Sequence, residues 1–231
     1  MISRPGVSIK AAFEYLKRMY EKEGKEFTIT YGGLRNHLWK KGIKPCKPNV
    51  TPHVRYESPP GYQLQIDWKE QMKLTTIHGE VIEFNILTGT LGYSRLHTLI
   101  YSETRTTEDL IRCLLETLRK LGGIPKTILT DYMSSIVSIQ NNRRIKHPKI
   151  LQLEKDLGLE IKLCKVKTPQ TKGKDESANR FLNWLAPYDG KIESKEDLLN
   201  ILKDINQRIN EENKKTTQIP PLTLFQKEKE Y

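Results

Sequence analysis

The amino-acid sequence predicts an α/β fold: a mixed five-stranded sheet flanked by helices, with a short helical segment at the N-terminus. Residues 62–102 alternate apolar and polar side chains in three successive runs, which is typical of strands with one buried face. From Thr106 onward, helical periodicity alternates with two short apolar runs. The first three strands can therefore be antiparallel, whereas the later strands are reached through helices and are expected to be parallel.

Two short helices are expected in the N-terminal segment, residues 1–42. In the first, residues 8–23, one helical stripe holds Ile9, Phe13, Leu16 and Met19 or Tyr20. Gly24 ends this helix. The stripe is therefore the face that we expect to be buried.

The second helix, residues 31–41, ends at Gly42 and has a basic polar side. This side includes Arg35, Lys40 and Lys41. Two short helices with a glycine-containing turn and a basic second helix are typical of part of a helix-turn-helix that contacts DNA. A plain helical hairpin is the alternative.

A linker is predicted between this segment and the rest of the chain. Residues 43–61 contain five prolines and little periodicity. The domain boundary therefore falls here, and residues 62–231 are predicted to form the larger domain.

The first part of the larger domain is predicted to be a three-stranded meander. QLQIDWKE turns Leu64, Ile66 and Trp68 to one face and Asp67 to the other. A hairpin at His78-Gly79 and a third strand after Gly92 follow.

The second part is predicted to alternate helices and strands. Thr106 and Asp109 have the spacing of a helix start with reciprocal capping. PKTILTD is a short buried strand that ends at Asp131, and EIKLCKV is the fifth strand. Three further helices are expected, over HPKILQLEKDLGL, over TKGKDESANRFLNWLAP as far as Pro187, and from Ser194 to about Asn213.

Composition excludes several classes of protein. The 231 residues contain no apolar run long enough to span a membrane, and the N-terminus lacks the apolar region of a secretion signal. The three cysteines, Cys46, Cys113 and Cys164, fit neither a disulfide framework nor a zinc site. We therefore expect a reduced, cytosolic protein with no membrane partner.

The positive charge is concentrated in two stretches of a chain whose net charge is +11. Residues 1–56 hold 12 basic and 4 acidic side chains, and residues 143–174 hold 10 basic and 3 acidic. Such a distribution indicates a polyanion such as DNA as partner, although solubilising lysines would give a similar count. Arg143, Arg144 and Lys146 follow the fourth strand, in a predicted loop that we expect to contact DNA.

Three carboxylates occupy special places in the predicted element order. Asp67 lies on the polar face of the first strand, Asp131 at the end of the fourth, and Glu176 on a helix. If the first and fourth strands are neighbours and the helix crosses their ends, the three carboxylates converge. Oxygen ligands without a histidine or cysteine cluster favour Mg²⁺, but the spacing alone also fits solvent-exposed carboxylates.

The motifs, in their order, resemble a known family. SPPGYQLQIDW (58–68), LGYSRLHTLIYSETRTTEDLIRCL (91–114), GGIPKTILTDYMSS (122–135) and TPQTKGKDESANRFLNW (168–184) are similar to the integrase core of IstA-like insertion-sequence transposases, relatives of retroviral integrase with a ribonuclease-H-like fold. The resemblance covers residues 56–226.

The resemblance implies a catalytic site and its cofactor. Asp67, Asp131 and Glu176 match the Asp-Asp-Glu triad that binds two Mg²⁺ ions, for which Mn²⁺ would substitute. Lys172 and Lys174 would contact DNA phosphates near the active site. Tyr132 stands where many relatives have asparagine.

The implied activity is metal-dependent processing of DNA ends followed by strand transfer, as in transposition. Element-end and target DNA, further copies of the chain and an ATPase helper would be the partners, in a bacterial cytoplasm near the nucleoid. Two alternatives remain from the sequence: an inactive or truncated fragment that only binds DNA, and a simpler ribonuclease-H-like nuclease that cuts without joining.

Overall fold

The computed structural model describes residues 8–43, 58–140, 143–164, 181–213 and 217–230, with the side chains of Gln140 and Arg143 excepted. The strands are β1 (Gln63–Thr75), β2 (Val81–Leu91), β3 (His97–Ser102), β4 (Thr127–Thr130), β5 (Val137–Gln140), β6 (Arg143–Lys146) and β7 (Glu160–Leu163). The helices are α1 (Ile9–Lys22), α2 (Tyr31–Lys40), α3 (Thr107–Leu121), α4 (Pro148–Leu157), α5 (Lys195–Glu211) and α6 (Pro221–Glu228). A 3-10 helix covers Asn183–Tyr188.

Five strands form the main sheet in the order β3-β2-β1-β4-β7. The pairs β1/β2 and β2/β3 are antiparallel, whereas β1/β4 and β4/β7 are parallel. Short turns join the first three strands, and helix-containing crossovers reach β4 and β7. The mixed five-stranded sheet expected from the sequence is confirmed.

Helices cover both faces of this sheet. One apolar cluster lies under α3 and α4 and includes Leu64, Ile66 and Trp68 of β1. The other lies under α1, the 3-10 helix and α5 and includes Leu74 and Trp184. Trp68 and Trp184 are 7% and 5% exposed, so both indoles belong to the core.

An irregularity in β1 lets one strand serve both clusters. The pairing with β2 shifts between Lys69 and Met72, and Gln71 has φ +51°. A bulge of this kind adds a residue to one strand, so the alternation of side chains changes face beyond it. Ile66 consequently packs on the α3 side, while Leu74 packs on the α5 side.

The start signals that the sequence gives for two helices are confirmed. The Thr106 hydroxyl accepts from the Asp109 N–H, and the Asp109 carboxylate accepts from the Thr106 N–H, which caps α3. The Ser194 hydroxyl caps α5 by accepting from the Asp197 N–H.

The predicted buried face of α1 is wrong. Met19 and Tyr20 are 38% and 36% exposed, and the buried residues are Ala11, Ala12, Tyr15 and Glu14. The small alanines let α1 approach the 3-10 helix closely, so the alanine face of α1, and not its aromatic stripe, meets the core. Phe13 instead packs edge-to-face on Phe27, in the connection to α2.

Two other expectations about elements need correction. Arg143, Arg144 and Lys146 lie in a two-stranded β5/β6 hairpin rather than in an irregular loop. Pro187 lies inside the 3-10 helix and does not close an α-helix. The helix predicted around Glu176 falls in residues 165–180, and most of the predicted linker in residues 44–57, both outside the described part of the chain.

The C-terminal helix α6 joins two distant turns. Glu228 is 4% exposed, and its carboxylate accepts from the backbone N–H groups of Gly61 and Ser94, each at 3.1 Å. Phe225 of the same helix enters the apolar cluster under α3. The turn before β1 and the turn between β2 and β3 are therefore held together by α6.

Candidate active site

Asp67 lies on β1, and Asp131 directly follows the end of β4, the neighbouring parallel strand. The register of β1 with β4 pairs Gln65 with Leu129, and continuing it by two residues brings Asp67 opposite Asp131. Adjacent strands are about 5 Å apart. The sheet topology therefore brings together the two carboxylates that sequence reasoning selected on separate strands.

Each of the two aspartates has a defined backbone environment. The carbonyl of Asp67 accepts from the Thr88 hydroxyl at 3.1 Å, within the β1/β2 pair. The carbonyl of Asp131 accepts from the Met133 N–H at 2.9 Å, where the chain turns directly after β4. Both side chains are half-buried where β4 ends beside β1, so a part of each is accessible to solvent.

The donor chemistry of this pair fits a hard divalent cation. Two carboxylates at one edge offer oxygen ligands of the kind that Mg²⁺ prefers. The third predicted ligand, Glu176, lies outside the described residues, as do Lys172 and Lys174. Within the described part of the chain, no group of three or more His, Cys, Asp and Glu side chains is arranged to hold a metal.

The side chain of Arg144 contacts the residue that follows Asp131. Its guanidinium lies 4.1 Å from the centroid of the Tyr132 ring, and Tyr132 directly follows Asp131. Arg143 precedes it in β6, where the description covers the backbone alone.

Lys146 has a structural environment that the sequence did not suggest. Its ammonium lies 2.7 Å from the Glu154 carboxylate of α4 and donates to the Ile161 carbonyl of β7 at 2.7 Å. These contacts tie the hairpin to the domain. Lys146 therefore supports the hairpin, and its contact with DNA stays a prediction.

The other predicted DNA contacts lie in the N-terminal segment. Arg35 and Lys40 are on α2, Lys41 is its C-cap, and all three are exposed. α2 contacts α1 through aromatic rings, including Phe13 and Tyr31 with centroids 5.7 Å apart. Their part in DNA binding stays a prediction.

Sequence reasoning missed the hairpin and the contact between Arg144 and Tyr132. The signal for the hairpin was present, because Asn141-Asn142 separates two four-residue runs, VSIQ and RRIK, and asparagine favours two-residue turns. The basic residues instead suggested a solvated loop. No signal for the ring contact was available, since it depends on how the hairpin sits against residue 132.

The sheet order, helices and carboxylate positions define a class of fold, the integrase catalytic core with a ribonuclease-H-like fold. The catalytic core domain of BIV integrase matches with a TM-score of 0.55 at 17% identity, covering 74% of this chain and 97% of that one. The HTLV-2 integrase catalytic core domain in complex with magnesium matches with a TM-score of 0.52 at 11% identity, covering 74% and 99%.

Sequence similarity then identifies the relatives. The chain is 32% identical over 180 residues to a transposase for insertion sequence element IS232 of Bacillus thuringiensis subsp. berliner, covering 75% of this chain and 41% of the relative. It is 31% identical over 170 residues to a putative transposase for IS5376 of Geobacillus stearothermophilus, covering 73% and 42%. The chain is thus a homologue of insertion-sequence transposases, and it spans about two fifths of their length.

Two further observations complete the comparison. No family model matches the chain. Among the helices of the described residues, none is both long and apolar enough to cross a membrane.

Proposed function

We propose that this chain contains the catalytic core of a DNA transposase of the Asp-Asp-Glu type. The observation that carries the proposal is the placement of Asp67 on β1 and of Asp131 directly after β4, which the register of these two parallel strands brings opposite each other in an integrase-like sheet. Homology to insertion-sequence transposases supports DNA cutting and joining as the activity. Glu176, by its match to the family motif, would complete the triad.

The aspartates would act as ligands held by a rigid frame. β1 and β4 fix the two backbones in register, so their carboxylates can share a cation without a change of fold. When bound, two Mg²⁺ ions would favour attack by a water or 3′-hydroxyl oxygen and stabilise the leaving oxygen of the phosphodiester. Mn²⁺ would substitute, because it also takes oxygen ligands.

The cationic residues would hold the DNA backbone. Arg143 and Arg144 in the hairpin, with Lys172 and Lys174 before Glu176, would take phosphates beside the carboxylates. α2 would add affinity farther away. Element ends and target DNA are the proposed substrates, and assembly with further copies and with an ATPase helper is proposed from the family resemblance.

Reversal of strand transfer gives an assay that needs no knowledge of the element-end sequence. Strand transfer exchanges one phosphodiester bond for another of similar energy, so the reaction can run in reverse. The same site can therefore resolve a branched duplex that imitates the joined product. We expect the full chain with Mn²⁺ or Mg²⁺ to release the branching arm and to reseal the strand to which that arm was joined. Asp67→Asn, Asp131→Asn and Glu176→Gln should each lower this rate at least about a hundredfold, since each removes a direct metal ligand.

Asp156→Asn is the matched control, because Asp156 lies on the exposed side of α4 and accepts from the nearby Gln152 side chain. Wild-type rates in the Asp131→Asn protein would contradict the proposed site. Release of an arm without resealing would favour the simpler nuclease. Calorimetric titration of Mg²⁺ in the presence of a 3′-recessed duplex should show metal binding that Asp131→Asn abolishes, and DNA binding without any metal response would favour the inactive fragment.

A further inference from the structure

The contact between Arg144 and Tyr132 is the starting point of this inference. The guanidinium lies 4.1 Å from the ring centroid, and Tyr132 is 40% exposed although it adjoins Asp131. In the hairpin register, Arg144 is paired with Ile139, which is 74% exposed. The contact therefore lies at a solvent-facing surface beside the candidate active site.

The hairpin that carries Arg144 is anchored at its base. The His147 ring Nε2 lies 2.8 Å from the Ser134 carbonyl, and the Ile136 carbonyl accepts from the His147 N–H at 2.9 Å. Lys146 is held by Glu154, as described above. Because the strand ends are fixed in this way, the fold sets the position of the Arg144 backbone relative to that of Asp131.

The charge of Arg144 is not neutralised within the described part of the chain. Arg105 and Arg208 each lie against a carboxylate, of Glu70 and Glu14 respectively. Arg144 has no carboxylate within ion-pair distance among the described residues, and its described contact is the Tyr132 ring. A guanidinium in contact with a ring keeps N–H donors for an anion, and its planar fork suits phosphate oxygens.

We propose that Arg144 binds a phosphate of the DNA strand that crosses the candidate active site, and that Tyr132 is the residue that positions it. The inference rests on the proposed function for the identity of the anion. The tyrosine ring restrains the guanidinium from one side, so the cation meets the DNA backbone already ordered. The aromatic ring, rather than the hydroxyl, performs this task, and a phenylalanine would serve equally.

The salt dependence of DNA binding measures this contact without any catalysis. We would titrate a fluorescent 30-base-pair duplex with the full chain in EDTA, at several salt concentrations. Each phosphate contact contributes about 0.9 to the slope of log K against log salt. Arg144→Gln should reduce the magnitude of the slope by about 0.9 and weaken binding roughly fivefold at about 0.15 M salt.

Variants of Tyr132 separate positioning from folding. Tyr132→Leu should weaken binding in the same direction as Arg144→Gln, while Tyr132→Phe should bind as the wild type does. The double variant Tyr132→Leu/Arg144→Gln should be no weaker than Arg144→Gln alone, because the tyrosine acts through the arginine. Additive losses in the double variant would overturn the positioning role.

Arg119→Gln is the matched control for charge. Arg119 is exposed in the last turn of α3, near the beginning of β4, whereas Asp131 follows the end of that strand. A slope for Arg144→Gln equal to that of Arg119→Gln would overturn the phosphate contact. Failure of the proposed function would appear separately, as wild-type resolution of the branched duplex by Asp131→Asn, and would leave the salt slopes unchanged.

Discussion

The carboxylate of Glu228 satisfies two backbone donors that belong to turns far apart in the sequence. Replacement by alanine would leave the buried N–H groups of Gly61 and Ser94 without this acceptor. Loss of a charged acceptor costs about 1.5–3 kcal/mol for each hydrogen bond, less where water can enter. We therefore expect Glu228→Ala to lower the free energy of unfolding by about 2–4 kcal/mol in urea denaturation.

The neighbouring Glu230 is exposed and provides the comparison. Glu230→Ala should change the free energy of unfolding by less than about 0.5 kcal/mol. Equal stability of the two variants would contradict the role given to Glu228.

Asp109 gives the protein a predicted dependence on acid. Hydrogen bonds from the Thr104 hydroxyl first, and then from the Thr106 hydroxyl and N–H, lower the pKa of Asp109 below its usual value of 3.8. A carboxyl whose pKa is lower in the folded state stabilises the fold above the unfolded value and loses that contribution as the pH falls. The affected window is therefore below about pH 4.

Thermal unfolding from about pH 5 down to about pH 2 tests this, since the stabilising contribution of Asp109 is complete above about pH 4 and is lost below it. At the highest pH of this range, the Asp109→Asn protein should unfold at a lower temperature than the wild type. The difference between their unfolding temperatures should become smaller as the pH falls. The difference in unfolding temperature between Thr104→Val and the wild type should be smaller, and it should decrease with falling pH in the same way. A constant difference across the range would argue against the assignment.

Sequence reasoning identified those individual residues whose role follows from their place along one strand or helix. Asp67 was found because it lies on the polar face of an alternating strand, and Asp131 because it ends a buried run. Glu228 and Tyr132 were missed, since their partners lie 134 residues away in one case and on a separate hairpin in the other. Local patterns do not contain such distances.

Among the elements, α1 has the most unexpected attachment. Arg208 of α5 donates to Glu14 at 3.1 Å and to Glu21 at 3.0 Å, so two carboxylates of α1 meet one guanidinium. Lys10 and Arg18 add ion pairs with Glu212 and Asp204. The helix is thus fastened to the larger domain by charged contacts around its buried alanines.

Removal of the central cation should loosen this attachment. The side chains of Arg208 and Glu14 are 25% and 9% exposed, so solvent screens the pair in part. We expect Arg208→Gln to lower the free energy of unfolding by about 1–2 kcal/mol, with a smaller difference in high salt. Chemical denaturation at two salt concentrations measures both effects, with Arg119→Gln as the control. No difference between the two variants would mean that the alanine contacts alone hold α1.

The misjudged face of α1 has a physical explanation. Its larger apolar residues, such as Phe13, pack with rings from the connection to α2, while the smaller alanines face the domain. Periodicity weights a residue by its hydrophobicity, and so it selects the larger side chains. The side of α1 that meets the core is the one on which the helix can approach its neighbours most closely. Alanine, with its small side chain, permits that approach.

For the whole molecule, the sheet topology was predictable because connection length limits it. Turns of a few residues require antiparallel neighbours, and crossovers that contain a helix return the chain in parallel. The predicted separation into a segment of residues 1–42 and a domain of 62–231 was less informative, since α1 packs against the 3-10 helix and forms ion pairs with α5. Composition predicts a linker, but it does not predict which part of the protein the preceding helix packs against.

The attachment of α1 to α5 also has a consequence for biosynthesis. Glu14 and Arg208 are separated by 194 residues, and ribosomes add about 5–20 residues per second. The first helix therefore waits roughly 10–40 s before its partner has been made. During that interval α1 is open to the 3-10 helix and α5 of a second copy, and such an exchange would join two molecules through the contacts that each normally makes alone.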